Sequence, residues 1–237
     1  MDKTAKRRSA MNLAGVVLLI FAAVFIALYI ISTSPEIQQW YAKYEEILYK
    51  IDMAIVSIGY THIITIIIFL IYLIKCFFPI LSMPAVCILT GMVFPATTAI
   101  IVNAAGLLMM FTVKYNFGLK YGGGKAQRVL YKNQVSRILV EYSGKGNPWL
   151  LFILRFIPSF PINAVSQLYG SLKFNYKKYI IISMAAFMPK LFSYTFIGVS
   201  IFDPLSFGFF LPLILLFAVS GISVLVLNAL LNHLEKV

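Results

Sequence analysis

The segment Leu154-Arg155-Phe156-Ile157-Pro158-Ser159-Phe160-Pro161-Ile162-Asn163 puts a guanidinium and two prolines inside an apolar run that extends from Trp149 to Gly170. Proline lacks the amide donor and biases the residue before it away from helix. In hydrocarbon, a backbone interrupted this way is tolerated only where protein or a wet cavity satisfies it. A guanidinium at depth costs at least about 2.5–3.5 kcal/mol on insertion scales. The segment therefore predicts a re-entrant hairpin with its tip at Pro158–Pro161. The alternative is an ordinary spanning helix with a proline kink.

The rest of the chain identifies hydrocarbon as the relevant solvent. Of its 237 residues 61% are hydrophobic and 12% charged, whereas a soluble domain carries about 25% charge. The net charge of +12 is clustered in a few stretches, which suits membrane orientation and not nucleic-acid binding. Cys76 and Cys87 form no CxxC pair, and His62 and His233 have no ligand cluster in sequence. No metal site and no cofactor is expected.

Moving upstream, a second interrupted run appears between Ile55 and Phe94. It reads Lys75, Pro79, Pro84, Gly91, Phe94, against Arg155, Pro158, Pro161, Gly170, Phe174 in the later run. Each has a cation, two prolines, a glycine and an aromatic. Each precedes a further apolar helix, Thr97–Val113 and Tyr179–Ser200 respectively. Broken helices in matching halves are a pointer to a transport site.

The remaining segments complete the layout. An apolar run from Leu13 to Ile31 follows a basic start and is long enough to span. Residues 35–53 place Trp40, Tyr41, Tyr44, Ile47, Leu48 and Ile51 at helical spacing, an amphipathic helix at the interface or a plain connector. Cations crowd the stretch from Lys114 to Lys145 and recur at Lys173, Lys177 and Lys178, so these regions and both termini are expected in the cytosol. The hairpins then dip in from opposite faces. The expected architecture is an all-α polytopic membrane protein, an inverted repeat of re-entrant hairpin plus transmembrane helix, with about four full spans and two hairpins. Its parts are an anchor and interfacial helix (1–53), a core with both repeats (54–200) and a C-terminal span (201–237). The plasma membrane of a bacterium is the expected location.

Arg155 is the first candidate for chemistry. No Asp or Glu occurs between Pro148 and Pro189, and arginine suits bidentate phosphate binding. The alternative is that it snorkels to the interface or caps a helix end. Lys75 is its counterpart in the first hairpin. Asn163 and Gln167, one helical turn apart, are candidates to hydrogen-bond a ligand or the broken backbone, and Pro158 and Pro161 shape the tip. Gly122-Gly123-Gly124-Lys125 lacks the phosphate-loop pattern. No catalytic triad or paired-carboxylate set shares a segment, so enzymatic activity is not expected.

The segment from Leu154 to Asn163, followed by Gly170, Tyr179, Ser183, Pro189 and Gly198, resembles the signature of the DedA superfamily, the VTT-domain or SNARE-associated Golgi protein membrane proteins. Pro84, Gly91, Gly106, Phe111 and Gly118 resemble its first half, and the likeness covers about residues 70–200. The resemblance implies two opposed re-entrant hairpins. It also implies lipid work, either phospholipid scrambling or recycling of a polyprenyl phosphate. The chain departs from the DedA branch in having no acid in Ser82-Met83-Pro84-Ala85, no arginine after Pro161, and Tyr115 where many relatives carry arginine. The expected function is a flippase- or scramblase-like transporter of lipids with phosphate-bearing headgroups. An ion- or solute-coupled transporter and a non-transporting membrane scaffold are the alternatives.

Overall fold

In the computed structural model the described residues are 3–56, 61–78, 81–131, 146–156 and 161–234, and their regular structure is entirely helical. The helices are α1 (Lys3–Ser32), α2 (Pro35–Val56), α3 (Thr61–Phe77), α4 (Met83–Val93), α5 (Ala96–Tyr121), α6 (Gly124–Tyr131), α7 (Pro148–Phe156), α8 (Ile162–Ser171), α9 (Tyr176–Val199) and α10 (Phe207–Leu234). Four of them contain stretches long and apolar enough to cross a membrane: Arg8–Ser32, Ala96–Tyr121, Tyr176–Val199 and Phe207–Ala229. These are the four spans expected from the hydropathy. Large apolar side chains such as Leu13, Ile20, Ile101 and Ile181 lie more than half exposed on them, a surface suited to lipid and not to water.

Helices α4, α7 and α8 are short, with 11, 9 and 10 residues. At 1.5 Å per residue they measure roughly 14–17 Å, about half of a 30 Å hydrocarbon core. Pro79 and Pro158, which the repeat places at the breaks, lie outside the described residues. Beyond the first break, Ser82 caps α4 by accepting from the Ala85 amide at 3.3 Å, with proline in the first turn. Beyond the second, Pro161 is the N-cap residue of α8, without a side-chain cap bond.

The chain forms two compact units. One, here the Arg155 unit, comprises residues 1–15, 107–188 and 222–237; the other, the Lys75 unit, comprises residues 16–106 and 189–221. Helices α1, α5, α9 and α10 each contribute a segment to both.

Each unit contains one crossing where two helices touch backbone to backbone. In the Arg155 unit, a Cβ at Gly170 of α8 would collide with the Tyr115 carbonyl oxygen and stand 2.9 Å from its carbon. One at Gly118 of α5 would collide with the Gln167 carbonyl oxygen. In the Lys75 unit, Gly91 of α4 faces the Thr195 carbonyl, and Gly198 of α9 faces the Ile88 carbonyl. In all four cases the carbonyl belongs to the residue three before the partner glycine. The same crossing is thus made twice, which gives the weak sequence repeat a physical basis: only glycine permits helices to approach this closely.

Helix α8 ends in a Schellman motif. The Lys173 amide donates to the Gly170 carbonyl at 3.0 Å and the Phe174 amide to the Tyr169 carbonyl at 3.2 Å. Phe174 packs edge-on against Tyr169, with ring centroids 5.5 Å apart. Lys173 occupies the left-handed position at φ +52°, where glycine is usual. The Tyr115 hydroxyl donates to the Phe174 carbonyl and ties this turn to α5.

In the Lys75 unit, α1 lies against α10 through Phe21 and Phe25, whose rings stand 5.6 and 5.4 Å from Phe217, and through Tyr29 beside Phe207 and Phe210. The connection from α1 to α2 takes only Thr33 and Ser34, and the Gln38 side chain donates back to the Ser32 carbonyl at 2.8 Å.

Candidate functional site

Arg155 sits in the last turn of α7 and is 2% exposed. It does not snorkel; the side chain is enclosed by its own unit. Nη1 donates to the Ile162 carbonyl at 2.8 Å, bridging from the end of α7 to the first residue of α8. Nη2 donates to Ser166 Oγ at 2.6 Å and to the Tyr179 hydroxyl at 2.9 Å, and Nε to Ser183 Oγ at 3.3 Å. The guanidinium carbon lies 4.1 Å from the centre of the Phe111 ring, whose face is attractive to a cation. Phe111 is held edge-on by Phe187, and the Tyr179 hydroxyl donates a hydrogen bond to the Phe111 carbonyl at 3.3 Å. Four helices thus meet on one guanidinium.

These partners are neutral. Hydroxyls and a carbonyl solvate a buried guanidinium through its N–H groups and bring no charge of their own to the site. The acids whose side chains are described, Glu36, Glu45, Glu46 and Asp203, all belong to the Lys75 unit, on α2 and the α9–α10 connection.

Lys75 occupies the matching place, in the last turn of α3. Its Nζ donates to the Leu81 carbonyl at 2.6 Å, just ahead of α4. Each cation therefore reaches across its break to a carbonyl on the far side. For Arg155 this is close to the helix-end role weighed from the sequence, whereas Lys75 was weighed only against snorkelling; both supply hydrogen bonds that backbone in hydrocarbon cannot take from water.

The other candidates are distributed as follows. Asn163 is half-buried in the first turn of α8, next to Ile162. Gln167 is buried, and its amide donates to the Gly122 carbonyl at 3.1 Å, at the other end of α8. Arg155, Asn163, Gln167 and Pro161 belong to one unit and Lys75 to the other.

A second buried polar cluster was not anticipated. In the Lys75 unit the Tyr72 hydroxyl donates to Asn103 Oδ1 at 2.8 Å and lies 3.6 Å from Cys87 Sγ. Asn103 Nδ2 donates to the Cys87 carbonyl at 3.2 Å and to Thr195 Oγ1 at 2.9 Å. Counted from the crossing glycines, Cys87 and Ser166 are both four residues before, and Asn103 and Ser183 both fifteen before. The two clusters share a register, one built around a phenol and the other around a guanidinium. The signal was Asn103 itself, the only asparagine in the Thr97–Val113 run.

Among the described residues no group of His, Cys, Asp and Glu stands together to hold a metal ion. Outside the spans, the Tyr41 hydroxyl of α2 donates to Asp203 Oδ1 at 3.2 Å. Burial, and next the Asp203 carboxylate, push that phenol up to about 12.

No curated protein and no solved structure matches the chain significantly. The VTT domain does match, over residues 78–200, just over half of the chain. That span runs from the end of α3 to the end of α9 and contains both glycine crossings and Arg155. With its four apolar spans, the protein is an integral membrane protein, and it belongs to the VTT-domain family of DedA and SNARE-associated Golgi protein relatives.

Proposed function

We propose that this protein moves lipids with phosphate-bearing headgroups across the bilayer, as a flippase or scramblase, and that it is a transporter and not an enzyme. In this reading α3–α4 and α7–α8 are re-entrant hairpins. The charges of their flanking loops have the first dip in from outside and the second from the cytosol. The protein resides in the plasma membrane of a bacterium with both termini cytosolic.

One observation carries the reading. Each unit has a short broken helix pair with a cation tied to a carbonyl beyond the break, by Lys75 to Leu81 and by Arg155 to Ile162. Discontinuous helices in matching halves are a recurrent framework for transport sites, and VTT-family membership points the same way. Arg155 is the attracting group. The bonds from the guanidinium to the Ser166, Ser183 and Tyr179 hydroxyls already have an ionised donor, and a phosphate adds to this an opposite charge and two oxygens that match the guanidinium fork, so it competes with them. Asn163 is the next polar group along α8, and Pro161, which has no amide to donate, stands at the start of that helix; Pro158 keeps its place in the reading from the sequence alone. Lys75 serves the first hairpin, and Gln167 steadies the far end of α8.

The test is reconstitution into vesicles holding labelled phospholipid or labelled polyprenyl phosphate. The wild type equilibrates label between leaflets, Arg155→Ala does not, and Arg155→Lys is intermediate because it keeps charge but loses the fork. A wild type that moves a soluble ion or solute but neither lipid would sink the reading. Normal transport by Arg155→Ala would remove Arg155 from it.

A further inference from the structure

We propose that a groove along α9 and α10, wholly within the Lys75 unit, binds one acyl chain of a membrane phospholipid; this deepens the transport reading and rests on it for its purpose, which is to hold a tail while the headgroup moves. The groove has a volume of about 390 Å³. Phe192 and Phe196 of α9 and Leu211, Leu215 and Val219 of α10 contribute to its walls.

Two prolines shape it. Pro189 lies inside α9 and Pro212 inside α10, and both line the groove. Each removes a backbone donor and pushes against the carbonyl a turn earlier, prying its helix open. Gly208 adds no side chain at one end.

The surroundings decide the occupant. Both helices are long and apolar enough to be spans, so the mouth opens on hydrocarbon, beyond the reach of a soluble partner. The walls are almost wholly carbon, and the one hydroxyl present, that of Ser193, is already donated to the Pro189 carbonyl at 3.0 Å. Lys190 also lines the groove but is itself buried, 5% exposed, so the surface left to an occupant is apolar and offers water little. The length fits as well. From Gly208, in the first turn of α10, to Val219 the groove descends roughly 17 Å at 1.5 Å per residue. One leaflet contributes about half of a 30 Å core, so a chain anchored at the membrane surface would lie along the groove from end to end.

The experiment uses the full chain in nanodiscs containing a phosphatidylcholine with a diazirine midway along one chain. After irradiation, labelled peptides are mapped by mass spectrometry. Labelling is expected to concentrate at 192–196 and 211–219. Leu215→Trp and Leu211→Trp should each reduce it about tenfold, a loss near 1.4 kcal/mol, without lowering the melting temperature. Leu215 is 47% exposed and Leu211 37%, so both sites accept a larger side chain. Label spread equally over the exposed faces of α1 and α10, and indifferent to both substitutions, would mean ordinary annular lipid and overturn the proposal. Labelling of the groove by a polyprenyl phosphate probe but not by phosphatidylcholine would overturn it too. Labelling does not depend on turnover. A labelled groove in a protein that moves no lipid refutes transport alone, and transport with even labelling refutes the groove alone.

Discussion

Adding one methyl group at Gly170 should loosen the Arg155 unit measurably. The new Cβ would collide with the Tyr115 carbonyl oxygen, 2.9 Å from its carbon, with the Leu119 amide nitrogen at 3.1 Å. All three are backbone atoms of α5, so no rotamer change relieves the overlap and the helices must part. Overpacking of this kind costs about 1–3 kcal/mol, or a melting shift of roughly 2–12 °C for a domain of this size. Two internal controls calibrate the figure. At Gly208 the added Cβ meets the Ser200 hydroxyl at 2.7 Å, a side chain that can turn away, and at Gly124 it meets nothing within 4 Å. Thermal unfolding in one detergent should therefore rank Gly170→Ala well below Gly208→Ala, with Gly124→Ala at or above the wild type. Gly118→Ala should match Gly170→Ala, and the double variant should lose less than the sum, because helices already parted accommodate the second methyl. A Gly170→Ala protein that melts with the wild type would show that the crossing is not as close as described.

Four further outcomes follow. Lys173→Gly should raise stability by about 0.5–1 kcal/mol, since a left-handed residue is strained unless it is glycine; the readout is the melting curve. Tyr72→Phe should cost about 0.5–1.5 kcal/mol by removing a buried hydrogen bond to Asn103, and unchanged stability would count against the neutral cluster. The Tyr41 phenol is raised to about 12, so its contribution to stability is complete below pH 10 and is lost as pH rises through about 12. Absorbance titration at 295 nm should lose one late-titrating phenol in Tyr41→Phe, and that phenol should titrate earlier in Asp203→Asn. Single cysteines at Lys125 and Lys177 should react with a membrane-impermeant maleimide only from the cytosolic side, and one at Glu45 only from outside; label at 125 from outside would invert the orientation.

Spans were legible because a 25-residue helix such as Arg8–Ser32 announces itself through local composition. The breaks were legible for the same reason, prolines and a cation being short-range signals. Arg155 was recognised as exceptional, yet its solution was not readable. Ser166, Tyr179 and Ser183 sit 11, 24 and 28 residues away, and a hydroxyl on an apolar helix looks like any other until the helices are packed. Asn103, Tyr72 and Thr195 escaped altogether, since Thr195 is 92 residues from Asn103. Gly91 and Gly170 were visible as a repeat, and Gly118 and Gly198 through the family resemblance, but which glycine meets which is a property of packing: Gly91 pairs with Gly198 and Gly118 with Gly170, pairings that join the two halves of the sequence repeat.

Those crossings also act as register stops. Where backbone rests on backbone, no layer of side chains lies between to yield or repack. Displacing α4 or α8 by one turn, about 5.4 Å, would bring Cys87 into the place of Gly91, or Ser166 into the place of Gly170, and each carries atoms the gap cannot hold. Sliding by a turn is thereby blocked, so each crossing fixes the register of its short helix on the helix it crosses.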